Sequence, residues 1–192
     1  MRYPSNQKAK AREAILQAGA RTLRTNGFNG IGVDGIAASA GVTSGAFYSN
    51  FSNKEALLQQ VIEACLGEPF IDPESGSLAE RQARLKEWLA MYISAEHRRD
   101  PASGCVMPTL SADVARANPK IRASYGRRML ALVRKMSRVL DGAEPDREQR
   151  AWSIIAIMVG AIAISRAMPD GKAADQALEA PLQTAIGLIA AK

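Results

Sequence analysis

The chain of 192 residues has little of the chemistry that catalytic and metal sites need. It contains one histidine, His97, and two cysteines, Cys65 and Cys105, which are too few for a zinc site or a disulfide framework. It also has no phosphate-binding glycine loop. His97 is expected at an exposed helix end, and no nucleophile, base or carboxylate pair stands beside it. The sequence therefore predicts a non-enzymatic cytoplasmic protein with no catalytic residue, no metal and no cofactor.

The chain also lacks an apolar run long enough to cross a membrane. Residues 151–164, AWSIIAIMVGAIAI, are almost wholly apolar, but a membrane-spanning helix needs about 20 such residues. Arg150 and Arg166 close the run at its two ends. A helix that is apolar all round is expected to be buried, either within one subunit or between two, so no membrane partner is predicted.

Positive charge is present in excess, and most of the excess lies in the first third of the chain. The net charge is +6, and the seven cations and three acids through residue 60 account for +4 of it. Such a distribution favours nucleic-acid binding through counterion release. Lys8, Lys10 and Arg12 are expected along the phosphate backbone. Residues 1–7 show no targeting pattern and are expected to form an arm, with Arg2 as a candidate minor-groove contact.

Residues 33–51 have the pattern of two short helices joined by a glycine turn. Gly41 supplies the left-handed backbone that ends the first helix, and Thr43 or Ser44 is expected to cap the second. The first helix carries apolar residues at the spacing of a buried stripe. These are Val33, Ile36, Ala37 and Ala40.

The second short helix is expected to bury Ala46, Phe47 and Phe51 and to expose small hydrogen-bonding groups. Such groups suit phosphate and base-edge contacts, and a helix N-terminus itself favours a phosphate. A solvated face on an ordinary helical hairpin would look similar, so the neighbouring residues decide. The exposed set is Thr43, Ser44, Gly45, Tyr48, Ser49 and Asn50, followed by Lys54.

A dense, ordered series of short motifs lies within residues 8–66. They are Gly27-Phe28, Val33-Asp34-Gly35-Ile36-Ala37, Ala40-Gly41-Val42, Gly45-Ala46-Phe47-Tyr48 and Phe51-Ser52-Asn53-Lys54-Glu55-Ala56-Leu57. This series resembles the TetR family of bacterial transcriptional regulators. The resemblance implies an all-α fold of about nine helices, with an N-terminal three-helix helix-turn-helix DNA-binding domain and a C-terminal helical ligand-binding and dimerisation domain. It also implies a homodimer on palindromic double-stranded operator DNA, usually released by a small molecule.

The resemblance assigns roles to the exposed residues of the second short helix. Tyr48 and Lys54 would hold phosphates, and Thr43 belongs to the same DNA-binding set. Five residues would face bases or the nearby DNA backbone. They are Ser44, Gly45, Ala46, Ser49 and Asn50. Two positions depart from the family pattern. Gly32 replaces a hydroxyl residue, and Gly35 replaces an acidic one and weakens its helix.

Domain boundaries are predicted from the helix and loop patterns. Residues 1–51 are expected to form the DNA-binding domain, and residues 52–192 are expected to form the regulatory domain. The regulatory domain begins with a connecting helix, 52–66. Ser52 is its expected N-cap, with Glu55 as the capping-box partner. The proline- and glycine-containing segment 67–77 follows it. Five further helices are expected, at about residues 77–99, 105–117, 120–140, 152–168 and 175–191. By the resemblance, the last two pair the homodimer.

Methionine and aromatic residues on several later helices are typical of an adaptable apolar pocket, although a helical core uses the same residues. The pocket would take a small apolar effector. Cys105, at the expected start of a helix, is a candidate thiol sensor or a small core residue. The predicted set is Trp88, Met91, Tyr92, Cys105, Met107, Tyr125, Met129 and Trp152.

The resemblance implies a TetR-type repressor that is released from its operator by a small-molecule effector or by thiol modification. The alternative is a helical protein-binding adaptor without DNA activity. Binding to a specific DNA fragment separates the two.

Overall fold

The computed structural model describes residues 5–68 and 70–190; the predicted arm contact at Arg2 lies outside them. Over these residues the chain forms ten α-helices and no β-strand, which confirms the all-α class. The helices, in chain order, are α1 Ser5–Asn26, α2 Val33–Ser39, α3 Ser44–Tyr48, α4 Lys54–Cys65, α5 Leu78–Tyr92, α6 Ala95–Arg99, α7 Met107–Ala115, α8 Pro119–Ser137, α9 Glu144–Ala167 and α10 Lys172–Ala190.

The chain divides into two compact units. The first comprises Met1–Glu68 and Pro101–Arg128, and the second comprises Pro69–Asp100 and Met129–Lys192. Helices α1 to α4, α7 and the first half of α8 belong to the first unit. The second unit is built from α5, α6, α9, α10 and the end of α8.

Local sequence signals explain most helix ends. Gly27 and Gly41 have φ values of +71° and +67°, and this left-handed backbone follows the ends of α1 and α2. The turn at Gly41 was predicted. The predicted N-cap of α4 was wrong by one residue. Asn53, not Ser52, caps the helix, because its side chain accepts a 2.8 Å hydrogen bond from the Ala56 amide.

The tenth helix results from a break in the helix predicted over residues 77–99. Helix α5 ends at Tyr92, and Ser94 then caps α6 by accepting a 3.1 Å hydrogen bond from the His97 amide. Helix α5 itself begins with a capping box between Ser77 and Glu80, a serine–x–x–glutamate signal that the sequence prediction missed. A second serine cap inside a continuous apolar pattern was not recognised as a boundary.

Each unit has its own apolar core. Fully burying one large apolar side chain contributes about 1.5–3 kcal/mol, so these residues dominate the stability of each unit. The first core includes Ile15, Leu23, Ile36, Phe47, Leu57, Leu58 and Val61. The second includes Leu85, Leu89, Leu132, Val133, Met136, Ile154, Met158, Ile162 and Ile189.

Helix α9 extends further than the apolar run that predicted it. It spans 24 residues, and by length and composition alone it is long enough to cross a membrane. One such helix is weak evidence for a membrane segment, because the core helix of a soluble protein passes the same test. Helix α9 packs against α10, and 44% of its most apolar window is buried. Trp152 and Ile164 are nevertheless 41% and 58% exposed.

A buried arginine joins the start of α9 to the end of α10. Arg150 is 6% exposed and donates to Asp146 Oδ2 at 2.8 Å and to the Leu188 carbonyl at 2.9 Å. It also donates to the carbonyl of Asp141. Because the last carbonyls of a helix have no partner within the helix, this guanidinium satisfies the C-terminal end of α10.

Replacing this arginine tests its contribution. We expect Arg150→Ala to lower the free energy of unfolding by about 1–3 kcal/mol, because two carbonyls lose a charged donor. Arg138 pairs with Glu74 at 2.9 Å, but both side chains are more than 60% exposed, so Arg138→Ala is the matched control and should cost about 0–1 kcal/mol. Urea denaturation measures both variants. Equal effects would show that Arg150 does not hold the end of α10.

Candidate nucleic-acid interface

Helix α3 has only five residues, which is too short to form without support from its neighbours. Its N-cap is Thr43, whose hydroxyl oxygen accepts a 3.1 Å hydrogen bond from the Ala46 amide. Phe47 is fully buried, and its ring lies 5.5 Å from that of Tyr48 and 5.8 Å from that of Phe51. These contacts determine which side of α3 faces the core and which faces outward.

The outward side of α3 carries the residues that the sequence assigned to DNA. Tyr48 is 58% exposed, and Thr43, Gly45 and Ser49 are also exposed. The remaining four, Ser44, Ala46, Asn50 and Lys54, are half-buried. The predicted set therefore lies along one short helix and the first residue of the next, although half of its members are partly covered.

Three of the predicted base contacts, Ser44, Ser49 and Asn50, already form hydrogen bonds within the protein. Ser49 Oγ donates to the Gly45 carbonyl at 2.9 Å, and Asn50 Nδ2 donates to the Ala46 carbonyl at 2.8 Å. The second bond satisfies the Ala46 carbonyl at the end of α3, whereas the Gly45 carbonyl also accepts from the Ser49 amide at 3.1 Å. Ser44 Oγ, at the other end, donates to Asp34 Oδ1 of α2 at 2.5 Å.

Arg12 of α1 binds the turn between α3 and α4. Its guanidinium donates to the Asn50 carbonyl at 2.8 Å and to Gln60 Oε1 at 3.1 Å, and it lies 4.4 Å from the centre of the Phe51 ring. From the sequence, we expect this side chain to lie along the phosphate backbone of DNA with Lys8 and Lys10. In the structure it links α1 to α4 and to the turn between α3 and α4, a role that requires the tertiary fold.

Lys54 has a structural role that the sequence did not show. Its ammonium donates to the carbonyls of Phe28 and Ile31 at 2.7 and 3.0 Å and lies 4.3 Å from the centre of the Phe28 ring. An ammonium has three donor positions, and one of them is not used by these two carbonyls. The other two hold the loop between α1 and α2.

The same loop is held from a second direction by α7. The Phe28 amide donates to Asp113 Oδ2 at 2.9 Å, and Arg116 pairs with the other oxygen of this carboxylate at 3.1 Å. Asp113 was not among the predicted residues, because no local pattern links positions 85 residues apart. A cavity of about 200 Å³ adjoins this contact. Its lining is Phe28, Asn29, Glu55, Leu58, Asp113, Arg116, Ala117, Asn118 and Ile121.

The predicted effector residues divide between the two units, and none of them lines this cavity. In the first unit, the Met107 amide donates to Cys105 Sγ at 3.4 Å. The hydroxyls of Ser111 and Tyr125 are 2.6 Å apart. Burial raises the pKa of the Tyr125 phenol, the hydrogen bond to Ser111 lowers it, and negative charge on the nearby Cys105 raises it. Three predicted residues, Cys105, Met107 and Tyr125, thus belong to one part of the first unit.

The other five predicted effector residues belong to the second unit. The Trp88 ring lies 5.3 Å from that of Tyr92, whereas Met91 and Trp152 are 67% and 41% exposed. Met129 is half-buried. The eight-residue pocket remains a prediction.

His97 is half-buried, and the expectation of an exposed position was wrong. Its Nδ1 donates a 2.6 Å hydrogen bond to the Tyr92 carbonyl oxygen, and its ring packs edge-on to Tyr92 at 4.6 Å. Burial lowers the pKa of His97, which the hydrogen bond to Tyr92 opposes. The break between α5 and α6 turns this side chain inward.

The structural role of Lys54 can be measured without DNA. We expect Lys54→Met to lower the free energy of unfolding by about 1–3 kcal/mol, because two carbonyls lose a charged donor. Lys10, an exposed residue of α1, provides the control, since Lys10→Met should change stability by no more than about 0.5 kcal/mol. Denaturant unfolding of both variants gives the comparison. No difference between the two would mean that the Lys54 contacts do not stabilise the loop.

Comparison with protein families gives two matches along the chain. A model described as bacterial regulatory proteins of the tetR family matches residues 15–61, which include α2, α3 and most of α4. A second model, described as a tetracyclin repressor-like C-terminal domain, matches residues 82–181.

Solved structures with the same fold cover nearly the whole chain. A TetR family transcriptional regulator from Cytophaga hutchinsonii is 22% identical, with a TM-score of 0.71 over 97% of this chain and 98% of its own. A TetR family regulator from Agrobacterium tumefaciens is 16% identical, with a TM-score of 0.70 over 96% and 100%. The reduced form of E. coli NemR is 19% identical, with a TM-score of 0.63 over 95% and 98%.

Proposed function

This chain belongs to the TetR family of bacterial regulatory proteins, and we propose that it is a repressor that leaves its operator when a small molecule binds or when a thiol is modified. The family consists of DNA-binding proteins without enzymatic activity, so the chain is a DNA-binding transcriptional regulator and not an enzyme. Its site of action is the cytoplasm, where the DNA lies.

The observation that supports DNA contact most strongly is the orientation of α3. Phe47 is buried, so the polar side of the helix is turned away from the core. That side presents the exposed phenol of Tyr48 and small residues that allow a close approach, Thr43, Gly45 and Ser49. Such groups reach phosphates and base edges when a recognition helix enters the major groove.

Pairing of two subunits through α9 and α10 is part of the proposal. Trp152, Ala156 and Ile164 are exposed on α9, and their spacing of four and eight residues places them on one side of the helix. Covering this side with its symmetry mate would remove apolar surface from water. Two-fold pairing would also present two α3 helices to half-sites about 34–36 Å apart.

Release by an apolar effector is supported by the methionine and aromatic content of the predicted set. Trp88 and Tyr92 already stack in the second unit, and mixed walls of this kind adapt to apolar molecules. The thiol proposal depends on Cys105 alone among these residues, so a substitution of this cysteine tests it separately.

Salt dependence tests the assigned DNA roles. Duplexes selected from fragments of the host genome should bind with an affinity that falls steeply as salt rises. We expect Tyr48→Phe and Lys54→Ala to weaken binding to all sequences, with Lys54→Ala lowering the salt slope by about 1. Changes at Ser44 or Asn50 should instead alter the preferred sequence.

The same titration separates the alternatives. A Lys54→Ala variant with an altered sequence preference and an unchanged salt slope would contradict the phosphate role. Wild-type protein that retains no specific fragment would favour the adaptor function.

Thiol release makes a prediction about one cysteine. Cys105 is half-buried and accepts a hydrogen bond from the Met107 amide at the start of α7, where amides and the helix dipole favour a thiolate. Treatment with an alkylating agent should weaken operator binding of the wild type and of Cys65→Ser, but not of Cys105→Ser. Fluorescence anisotropy with a labelled operator measures the change. Equal loss in the wild type and in Cys105→Ser would rule out this route.

A further inference from the structure

Ser44 and Asp34 form a hydrogen bond between the two helices of the helix-turn-helix segment. Ser44 is the first residue of α3 and Asp34 the second residue of α2, and the Ser44 hydroxyl donates to Asp34 Oδ1 at 2.5 Å. Asp34 is exposed and Ser44 half-buried. The pair therefore lies at the surface that carries the predicted DNA contacts.

This bond determines the hydrogen-bonding character of Ser44. A serine hydroxyl has one proton to donate and two lone pairs that accept, while a carboxylate only accepts. With its proton given to Asp34, Ser44 can offer a DNA partner only an acceptor. Asp34 Oδ2 adds a second acceptor beside it, so the pair presents acceptors alone.

The DNA groups that could bond to Ser44 differ in whether they donate or accept hydrogen bonds. Phosphate oxygens only accept, so they cannot bond to Ser44 while its proton is held by Asp34. In the major groove, guanine N7 and O6 also accept, whereas cytosine N4 and adenine N6 donate. An acceptor-only pair therefore favours cytosine or adenine over guanine.

From this geometry we propose that Asp34 is a specificity-determining positioning residue. By holding the Ser44 proton, it makes the serine select a base-edge donor, cytosine N4 or adenine N6, at one position of each half-site, and exclude guanine there. The inference rests on the proposed DNA function and adds a role for a residue of α2, which was not in the predicted contact set.

The charge of Asp34 acts separately from its role as proton acceptor. A carboxylate at the DNA surface opposes phosphates of every sequence, so its removal should raise affinity generally. Glu13 provides the matched control, because it is an exposed acid of α1 whose carboxylate accepts from Gln17 within the same helix. Glu13→Ala should change affinity without changing base preference.

The test is selection of bound duplexes from a randomised library, followed by competition binding of duplexes that differ at single positions. For the wild type we expect guanine to be disfavoured at one position in each half-site by about five- to tenfold, the value of one hydrogen bond. Asp34→Ala should remove this discrimination, because the freed Ser44 proton can be donated to guanine. Ser44→Ala should make the position indifferent to the base.

Asp34→Glu keeps a carboxylate, which still accepts the hydrogen bond from Ser44 and adds no donor at this surface. We expect it to preserve the discrimination against guanine, and its thermal unfolding temperature verifies that the fold is intact. This variant keeps the inference testable if Asp34→Ala disturbs the start of α2, which has no side-chain cap at Gly32.

The possible outcomes are distinguishable. If the wild type selects an operator and Asp34→Ala keeps the same base preference at every position, the Asp34 inference is overturned while the DNA function stands. If the wild type selects no sequence at all, the proposed function itself fails. Loss of preference in Asp34→Ala together with its retention in Asp34→Glu and Glu13→Ala would support the inference.

Discussion

Burial of one aromatic side chain fixes the orientation of the recognition helix. A five-residue helix cannot persist through its own hydrogen bonds, so α3 depends on Phe47, which is fully buried, and on its Thr43 cap. Gly41, with φ of +67°, lets the chain turn between α2 and α3 without strain. Because α3 has one fixed inner side, the direction of its polar side is fixed as well.

The cations of the first unit show how positive charge can serve the framework as well as the ligand. Arg12, Arg24 and Lys54 each donate to backbone carbonyls of the same unit. Lys8, Lys10 and Arg21 are exposed. A count of charges therefore overstates the number of groups ready to meet phosphates, and part of the local excess stabilises the loops that position α3.

The all-α class and the helix-turn-helix segment were predictable because their signals are local. Each of these signals lies within a few residues of the helix that it defines. They are the apolar stripe of Ile36 and Ala37, the turn at Gly41 and the cap at Thr43. Phe28 forms hydrogen bonds with Lys54 and with Asp113 of α7. Both bonds join positions that are distant in the sequence. No spacing in the sequence could show them.

Errors in the predicted helix ends have a similar explanation. Ser52 and Asn53 are both good capping residues, and the choice between them depends on which side chain reaches the Ala56 amide. The apolar pattern runs through Ile93, so periodicity alone joined α5 and α6. The DNA-contact and effector residues remain predictions, because their test requires a bound partner.

The central proposal is that the polar side of α3 enters the major groove twice, once from each subunit of a dimer. Methylation interference on a selected duplex tests it directly, because methyl groups on guanine N7 block the major groove. We expect two sensitive segments related by a two-fold axis, with centres about 10 base pairs or a multiple of that apart. A single sensitive segment, or none, would contradict it.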